Sequence, residues 1–188
     1  MEPVTLNTER LALSTPTADD TGAIFAACQD ADIQRYTTVP SPYARAHAEG
    51  FIAHVASGWT TGSDGTWAIR AEGALVGMLG LHGIEKGQAE IGYWMAPTGR
   101  GKGMLSEAAR AAIEWGFSDE GLGLIRLQWH AVVGNIPSAR TAQALGFRFE
   151  GVRRQAFLNG AGARSDAWIA GLLNSDDRAP QPWAVLDA

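Results

Sequence analysis

Short stretches of alternating apolar and polar residues recur along this chain, interrupted by segments whose apolar positions fall at helical spacing. Arg10–Ser14 (RLALS) alternates and predicts a short strand. Pro16 followed by Thr17-Ala18-Asp19-Asp20 predicts a helix start, its acidic first turn facing the positive end of the helix dipole. That helix runs to about Gln29. Pro40 and Pro42 mark an irregular stretch, and a second helix is predicted over Ala44–Ser57. Three strands follow: Thr66–Ala71, Ala74–Leu81 and Ala89–Met95. The turns between them are short and carry Gly73 and Gly87, which predicts an antiparallel meander. Pro97–Gly103 is a turn. Met104–Phe117 has helical periodicity, Leu124–Val133 predicts a strand, and Pro137–Leu145 predicts a helix that Gly146 ends. Two last strands are predicted at Arg148–Ala156 and Asp166–Leu173. The order β, α, α, β, β, β, α, β, α, β, β gives an α+β or mixed α/β fold. One domain covers 1–173. The tail 174–188 holds three Asp and two Pro and is expected to be loosely ordered, with Trp183 and Leu186 as the residues able to pin it.

Composition narrows the class. The chain has 188 residues, 46% of them hydrophobic and seven of them Trp, enough for one buried core and too apolar for disorder. The uncharged stretch Gly73–Ile84 is too short and too broken by glycine to span a bilayer, so no membrane association is expected. The opening MEPVTLNTER has acids and no apolar run, unlike a signal peptide. The single cysteine, Cys28, excludes an internal disulfide and a cysteine-based zinc cage. His47, His54 and His82 do not fall at metal-ligand spacing, so no metal is expected. A cytoplasmic protein is the expectation. The net charge of −5 argues against general nucleic-acid binding but allows one small anion at a local basic spot.

Such a spot lies in AEIGYWMAPTGRGKGMLSEAARAAIEWGF, a strand, a Gly-rich turn and a helix. Amides at a helix N-terminus, made approachable by Gly101 and Gly103, form an anion site, and Arg100 and Lys102 add positive charge there. The pattern is neither the P-loop nor the dinucleotide fingerprint. Taken alone it also fits a surface turn. Some 30 residues on, a second strand leads through Val133-Gly134-Asn135-Ile136-Pro137-Ser138 into a helix that ends in Leu145-Gly146-Phe147. Asn135 and Ser138 there fit either ligand contacts or an ordinary helix cap.

The two segments together resemble the GNAT N-acetyltransferases, and within them the RimJ/RimL branch. The resemblance runs from Thr8-Glu9-Arg10-Leu11 to Leu172-Leu173. Arg100-Gly101-Lys102-Gly103-Met104-Leu105 falls on the family's pyrophosphate motif, with Leu105 departing from the usual Gly or Ala. Ser106-Glu107-Ala108, Asn135, Ser138 and Gly146-Phe147 match further signatures. The resemblance implies a GNAT-like fold: a mostly antiparallel sheet of about 6–7 strands with one splayed parallel pair, flanked by about four helices. It implies acetyl-CoA as acyl donor, with the pyrophosphate on the amides of Arg100 to Leu105. The pantetheine arm would lie along the strand end Trp94-Met95-Ala96, and Asn135 and Ser138 would contact it. A primary amine would accept the acetyl group by direct attack; a protein N-terminus and a small amine such as an antibiotic or polyamine both fit, and a non-catalytic acyl-CoA-binding module is the reading from another class. A homodimer is a further implied partner.

Direct attack needs a neutral amine. At pH 7.4 an α-amine of pKa about 7.7–8.0 is roughly 20–35% neutral, whereas a lysine near 10.4 is about 0.1% neutral. A base is therefore expected, and Glu90, on the strand feeding the turn, is the first candidate. His130, on the next central strand, is the second. Ser138 is a candidate to relay a proton towards the leaving sulfur as well as to bind CoA; the tyrosine that many members use as the acid is missing from the helix Ala139–Leu145. Tyr36 and Trp59 are candidates for lining the acceptor site. Trp67, Trp115, Trp129 and Trp168 are expected in the core, and Glu107 and Glu114 on a solvated helix face.

Overall fold

The structure, a computed structural model, describes residues 1–186. The strands are β1 (Leu6–Asn7), β2 (Leu11–Ser14), β3 (Gly65–Ala71), β4 (Ala74–Glu85), β5 (Gln88–Met95), β6 (Arg126–Val132), β7 (Arg148–Leu158) and β8 (Arg164–Leu173). The helices are α1 (Thr21–Ala27), α2 (Ala31–Tyr36), α3 (Arg45–Thr61), α4 (Met104–Phe117) and α5 (Ile136–Ala144). The strands form one sheet in the order β1-β2-β3-β4-β5-β6-β8-β7. Every pairing is antiparallel except β5 with β6. The expected fold class stands, with eight strands and five α-helices among the described residues where about 6–7 and four were expected.

The additions are the shortest elements. β1 has two residues and α2 has six, too few for a periodicity to register. Local chemistry builds α2 instead: the Asp30 carboxylate accepts from the Asp32 and Ile33 amides at 3.1 and 3.0 Å. The helix expected from Thr17 begins as a 3₁₀ turn, Ala18–Asp20, then runs as α1.

Two layers of helix cover the sheet. On one face Leu79, Leu81, Ile91, Leu127 and Trp129 pack against Ala108, Ala109, Ala112 and Ile113 of α4. Alanines at the contact let this helix approach the sheet closely. On the other face α1, α2 and the first half of α3 gather Ile24, Cys28, Ile33, Tyr43 and Ala48 into a smaller cluster that reaches Trp94 and Ala96. The segment after β8 also packs. Trp183 is buried, its Nε1 donates to the Phe147 carbonyl at 3.0 Å, and its ring lies 5.5 Å from that of Trp129. None of the described helices is long and apolar enough to cross a membrane.

Candidate active site

The parallel pair opens the sheet. β5 and β6 are in register only at Gln88↔Arg126, Ala89↔Leu127 and Glu90↔Gln128; beyond Glu90 the strands part. The Ala96 N–H donates to the Val76 carbonyl of β4, so alternation turns the amides of Tyr93 and Met95 towards the gap. A cavity of about 630 Å³ fills the gap. It begins among Gly101, Met104, Leu105 and Ser106, passes Tyr93, Trp129 and Ser138, and reaches Gly92, Trp94, His130 and Tyr36 on the opposite face. One channel thus joins the two sides of the sheet.

At the first mouth the Gly-rich turn brings α4 in end-on. Gly101 and Gly103 have φ of +73° and +71°, a conformation that costs any residue with a Cβ about 1–2 kcal/mol. Gly103 is the N-cap, and the first-turn amides of α4 are directed at the cavity mouth. The charges sit differently from the sequence expectation. Arg100 lines the cavity, but its guanidinium is tied to Asp30 at 2.6 Å, to Asp32 at 3.5 Å and to the Met95 carbonyl at 3.1 Å. Lys102 donates to the Thr98 carbonyl at 2.8 Å. Arg100 therefore braces α2 and β5 against the turn, and the cradle is made mainly of backbone amides. The Arg100 guanidinium holds the Asp30 carboxyl below its ordinary range. Glu107 is not the solvated residue expected. Its carboxylate accepts from the Thr8 hydroxyl at 2.6 Å, from the Arg10 amide at 3.1 Å and from Arg10 Nε at 2.7 Å, and Arg10 in turn donates to the Lys102 carbonyl. The Thr8 hydroxyl first, then Arg10, holds this carboxyl low.

Deeper in, the side chains of β5, β6 and α5 meet. Asn135 caps α5, accepting from the Ser138 amide at 3.3 Å, and lines the cavity with it. Trp129 Nε1 donates to Ser138 Oγ at 3.1 Å, Ser138 Oγ donates to the Tyr93 hydroxyl at 3.2 Å, and that hydroxyl donates to the Ser138 carbonyl at 3.2 Å. Burial pushes the Tyr93 phenol up to about 12, outweighing these hydrogen bonds, so it stays protonated. Sequence reasoning missed Tyr93 because it sought a tyrosine on the helix, whereas this one approaches α5 from the strand. The signal was its parity with Ile91 and Met95, which face α4 and α5.

On the opposite face the two candidate bases come together. Glu90 Oε2 lies 2.8 Å from His130 Nδ1. The carboxylate sits off the N–H direction, so Nδ1, which is buried, has no well-aligned hydrogen bond. His130 lines the cavity. Glu90 itself stays behind the imidazole. Of the two acceptor-site candidates, Tyr36 lines the cavity and Trp59 does not. Trp59 is 1% exposed, donates to the Thr66 carbonyl at 3.1 Å and meets the Trp67 ring edge-on at 5.1 Å. It is a core residue, because the last turn of α3 lies over the sheet and not at the gap. Trp67, Trp129 and Trp168 are buried as expected, and Trp115 is half-buried beside them.

Residues 10–148 match the family model described as an acetyltransferase (GNAT) domain. The chain is 32% identical over 154 residues to the uncharacterized N-acetyltransferase YoaA of Bacillus subtilis, covering 80% of this chain and 86% of YoaA. It is 37% identical over 96 residues to the ribosomal-protein-serine acetyltransferase of Escherichia coli, a match that spans 50% of this chain and 52% of that one. Among solved structures, Mycobacterium smegmatis RimJ, in complex with CoA-disulfide, superposes with a TM-score of 0.81 at 21% identity, over 92% of this chain and 90% of RimJ.

Proposed function

The chain belongs to the GNAT acetyltransferases, and from that premise we propose that it moves an acetyl group from acetyl-CoA to the α-amine of a protein N-terminus, both substrates being bound at once. The observation that carries this reading is the channel between β5 and β6, with an amide cradle at one mouth and the Glu90–His130 pair near the other. A pyrophosphate suits the amides of Gly101 to Ser106 at the start of α4, where the helix dipole favours an anion. The free edge of β5 suits the amides of a pantetheine arm, which would pair with it as an added strand. The Met95 N–H, turned to the gap, is placed to polarise a thioester carbonyl and to hold the oxyanion that forms on attack.

On the other face His130 Nε2 takes the proton that the amine sheds as its nitrogen bonds to the carbonyl carbon. Glu90, its carboxylate 2.8 Å from Nδ1, stabilises by its charge the imidazolium that results. The carbon–sulfur bond then breaks and the thiolate leaves. A phenol held near 12 does not give its proton fully to a thiolate whose ordinary pKa is about 8.5; the Tyr93 hydroxyl, turned away from the Ser138 carbonyl, would instead stabilise the departing sulfur by donating a hydrogen bond, with Ser138 Oγ still donating to it. An N-terminal amine, already partly neutral near pH 7.4, asks less of the base than a lysine does. The likeness to the E. coli ribosomal-protein-serine acetyltransferase, an enzyme named for a protein acceptor, supports a protein as the acceptor.

The test follows free thiol released from acetyl-CoA with peptides bearing N-terminal Ala or Ser, the same peptides blocked at the N-terminus, and polyamines and aminoglycosides. Release with free-ended peptides alone is the expected result. Release with the small amines alone overturns the acceptor, and no release from any amine while acetyl-CoA binds overturns the transfer reading.

A further inference from the structure

A second cavity, of about 450 Å³, adjoins the first on the His130 face. The two share Tyr36. Val132, in the second, lies two residues beyond His130 on the same face of β6, a step of about 7 Å along a strand. Its polar lining comes from α2 and from the β7–β8 hairpin: Arg35, Gln155, Asn159, Arg164 and Asp166.

This wall is built in detail. Gln155 has a φ of +51° in the bulge where β7 slips register between Arg153 and Phe157. Its amide and its Nε2 both donate to Asp166 Oδ1, at 2.9 and 3.2 Å, and its carbonyl accepts from Arg164 at 3.1 Å. The hairpin tip is clamped as well. A Cβ on Gly160 would collide with the Val39 carbonyl, so only glycine allows this approach, and Ser41 N–H donates to the Gly160 carbonyl. A strained backbone persists only where its neighbours hold it, and here Asp166 and Arg164 do so.

Charge supplies the chemistry. Seven of the thirteen arginines are ion-paired with a carboxylate among the described residues. Of the others, Arg35 and Arg164 line this cavity, and Arg153 and Arg154 lead into Gln155 on the same strand. Asp166 is the one carboxylate in the lining, and its Oδ1 is committed to the bulge. Two arginines against one carboxylate thus leave an acidic chain of net charge −5 with a net positive lining beside its candidate base.

Resting on the acetyltransfer reading, we infer that the acceptor is an anionic amine, carrying a carboxylate within a few residues of the nitrogen that is acetylated, and that Arg35 and Arg164 recognise that carboxylate. At about 3.3–3.6 Å per extended residue, the step from His130 to this cavity corresponds to the second to fourth residues of an acceptor peptide.

Two readouts keep this apart from the reading it rests on. Binding is measured by titrating Ser-initiated peptides with acidic, neutral or basic residues at positions two to four into CoA-loaded protein; acetylation of the same peptides is measured separately. Free glutamate and aspartate form a further arm. Acidic peptides are expected to bind about tenfold tighter than neutral ones, the size of a charge-assisted contact. Arg35→Gln and Arg164→Gln should bring that ratio towards one, and Arg164→Lys should restore part of it. Acidic peptides that bind but are not acetylated support the pocket and overturn N-terminal transfer. Free amino dicarboxylates that bind as tightly as the peptides support the anion site and make a small molecule its occupant. Equal binding of all peptides, preference for basic ones, or an acidic preference untouched by both glutamine variants overturns the inference.

Discussion

At the scale of single residues, the site depends on a meeting that sequence does not announce. Glu90 and His130 are each legible as a candidate base, since each lies on a strand beside the Gly-rich turn. Their pairing at 2.8 Å needs the parallel register Glu90↔Gln128, a contact between strands some 40 residues apart. Trp59 misleads for the opposite reason: an aromatic near the early helices has no mark that separates a core ring from a pocket wall. The pair predicts a graded result. His130→Gln removes the proton acceptor and should lower kcat/KM by about 10²–10³ near neutral pH, within the range for a positioned acid–base group. Glu90→Gln leaves the imidazole but removes the negative charge beside its protonated form and should cost about tenfold, or about 1.4 kcal/mol of transition-state stabilisation. Both deficits should shrink as pH rises past the α-amine range of about 7.7–8.0, where the acceptor loses its proton unaided. A pH–rate profile with N-terminal Ser peptides checks this, and deficits that stay constant from pH 6.5 to 9.5 remove both residues from proton transfer.

Among elements, the helices and strands that sequence shows clearly are those with a full period to display: α4 is bounded as Met104–Phe117 by both readings, whereas α2 rests on a cap and the bulge of β7 on a φ of +51°. What the elements lean on is predicted by two substitutions. Gly103→Ala introduces the backbone strain alone, because the nearest atom to a Cβ there is Arg10 at 3.7 Å. Gly103→Glu adds a carboxylate at the cradle, and should weaken acetyl-CoA at least a further tenfold, about 1.4 kcal/mol. Calorimetric titration separates them, and equal affinity in both variants displaces the anion site from this turn. The 3₁₀ turn before α1 is tied to β3 by Asp20 and Arg70, at 2.7 Å with the Asp20 side chain 8% exposed. Burial pushes the Asp20 carboxyl up, but Arg70 and the Thr17 amide outweigh it and leave it below the ordinary range. A carboxyl lowered on folding stabilises the native state above its unfolded pKa of about 3.9, and that contribution is lost as pH falls through the lower folded value. Asp20→Asn should therefore cost roughly 2–3 kcal/mol at pH 7, less than the loss of a fully buried partner because Arg70 stays partly exposed. It should cost less at pH 3 in urea unfolding. A penalty independent of pH assigns the loss to packing.

For the whole molecule, the resemblance read from a few short motifs reaches further than periodicity does, since it supplies the splay between β5 and β6 that no local pattern encodes. It says nothing of the end of the chain, where composition alone points to a loose tail. Trp183 sits there in the space that β7, α5 and β6 leave between them, 1% exposed, with its ring 5.4 Å from Phe149 and 5.5 Å from Trp129. Trp129 is also the donor to Ser138 Oγ, so the last segment of the chain braces the wall of the channel from behind. Trp183→Ala should destabilise the fold by about 3–5 kcal/mol, the cost of emptying a tryptophan site. A tail that serves packing alone predicts nothing more once the protein is folded. A tail that braces Trp129 predicts a raised KM for acetyl-CoA under conditions where the variant is fully native, and a Trp183→Phe variant that recovers part of both losses by refilling the space without the indole donor to Phe147. Unfolding curves and initial rates at 10 °C, taken on the same preparations, separate the two: lowered stability with an unchanged KM leaves Trp183 as a core residue that happens to lie near the site.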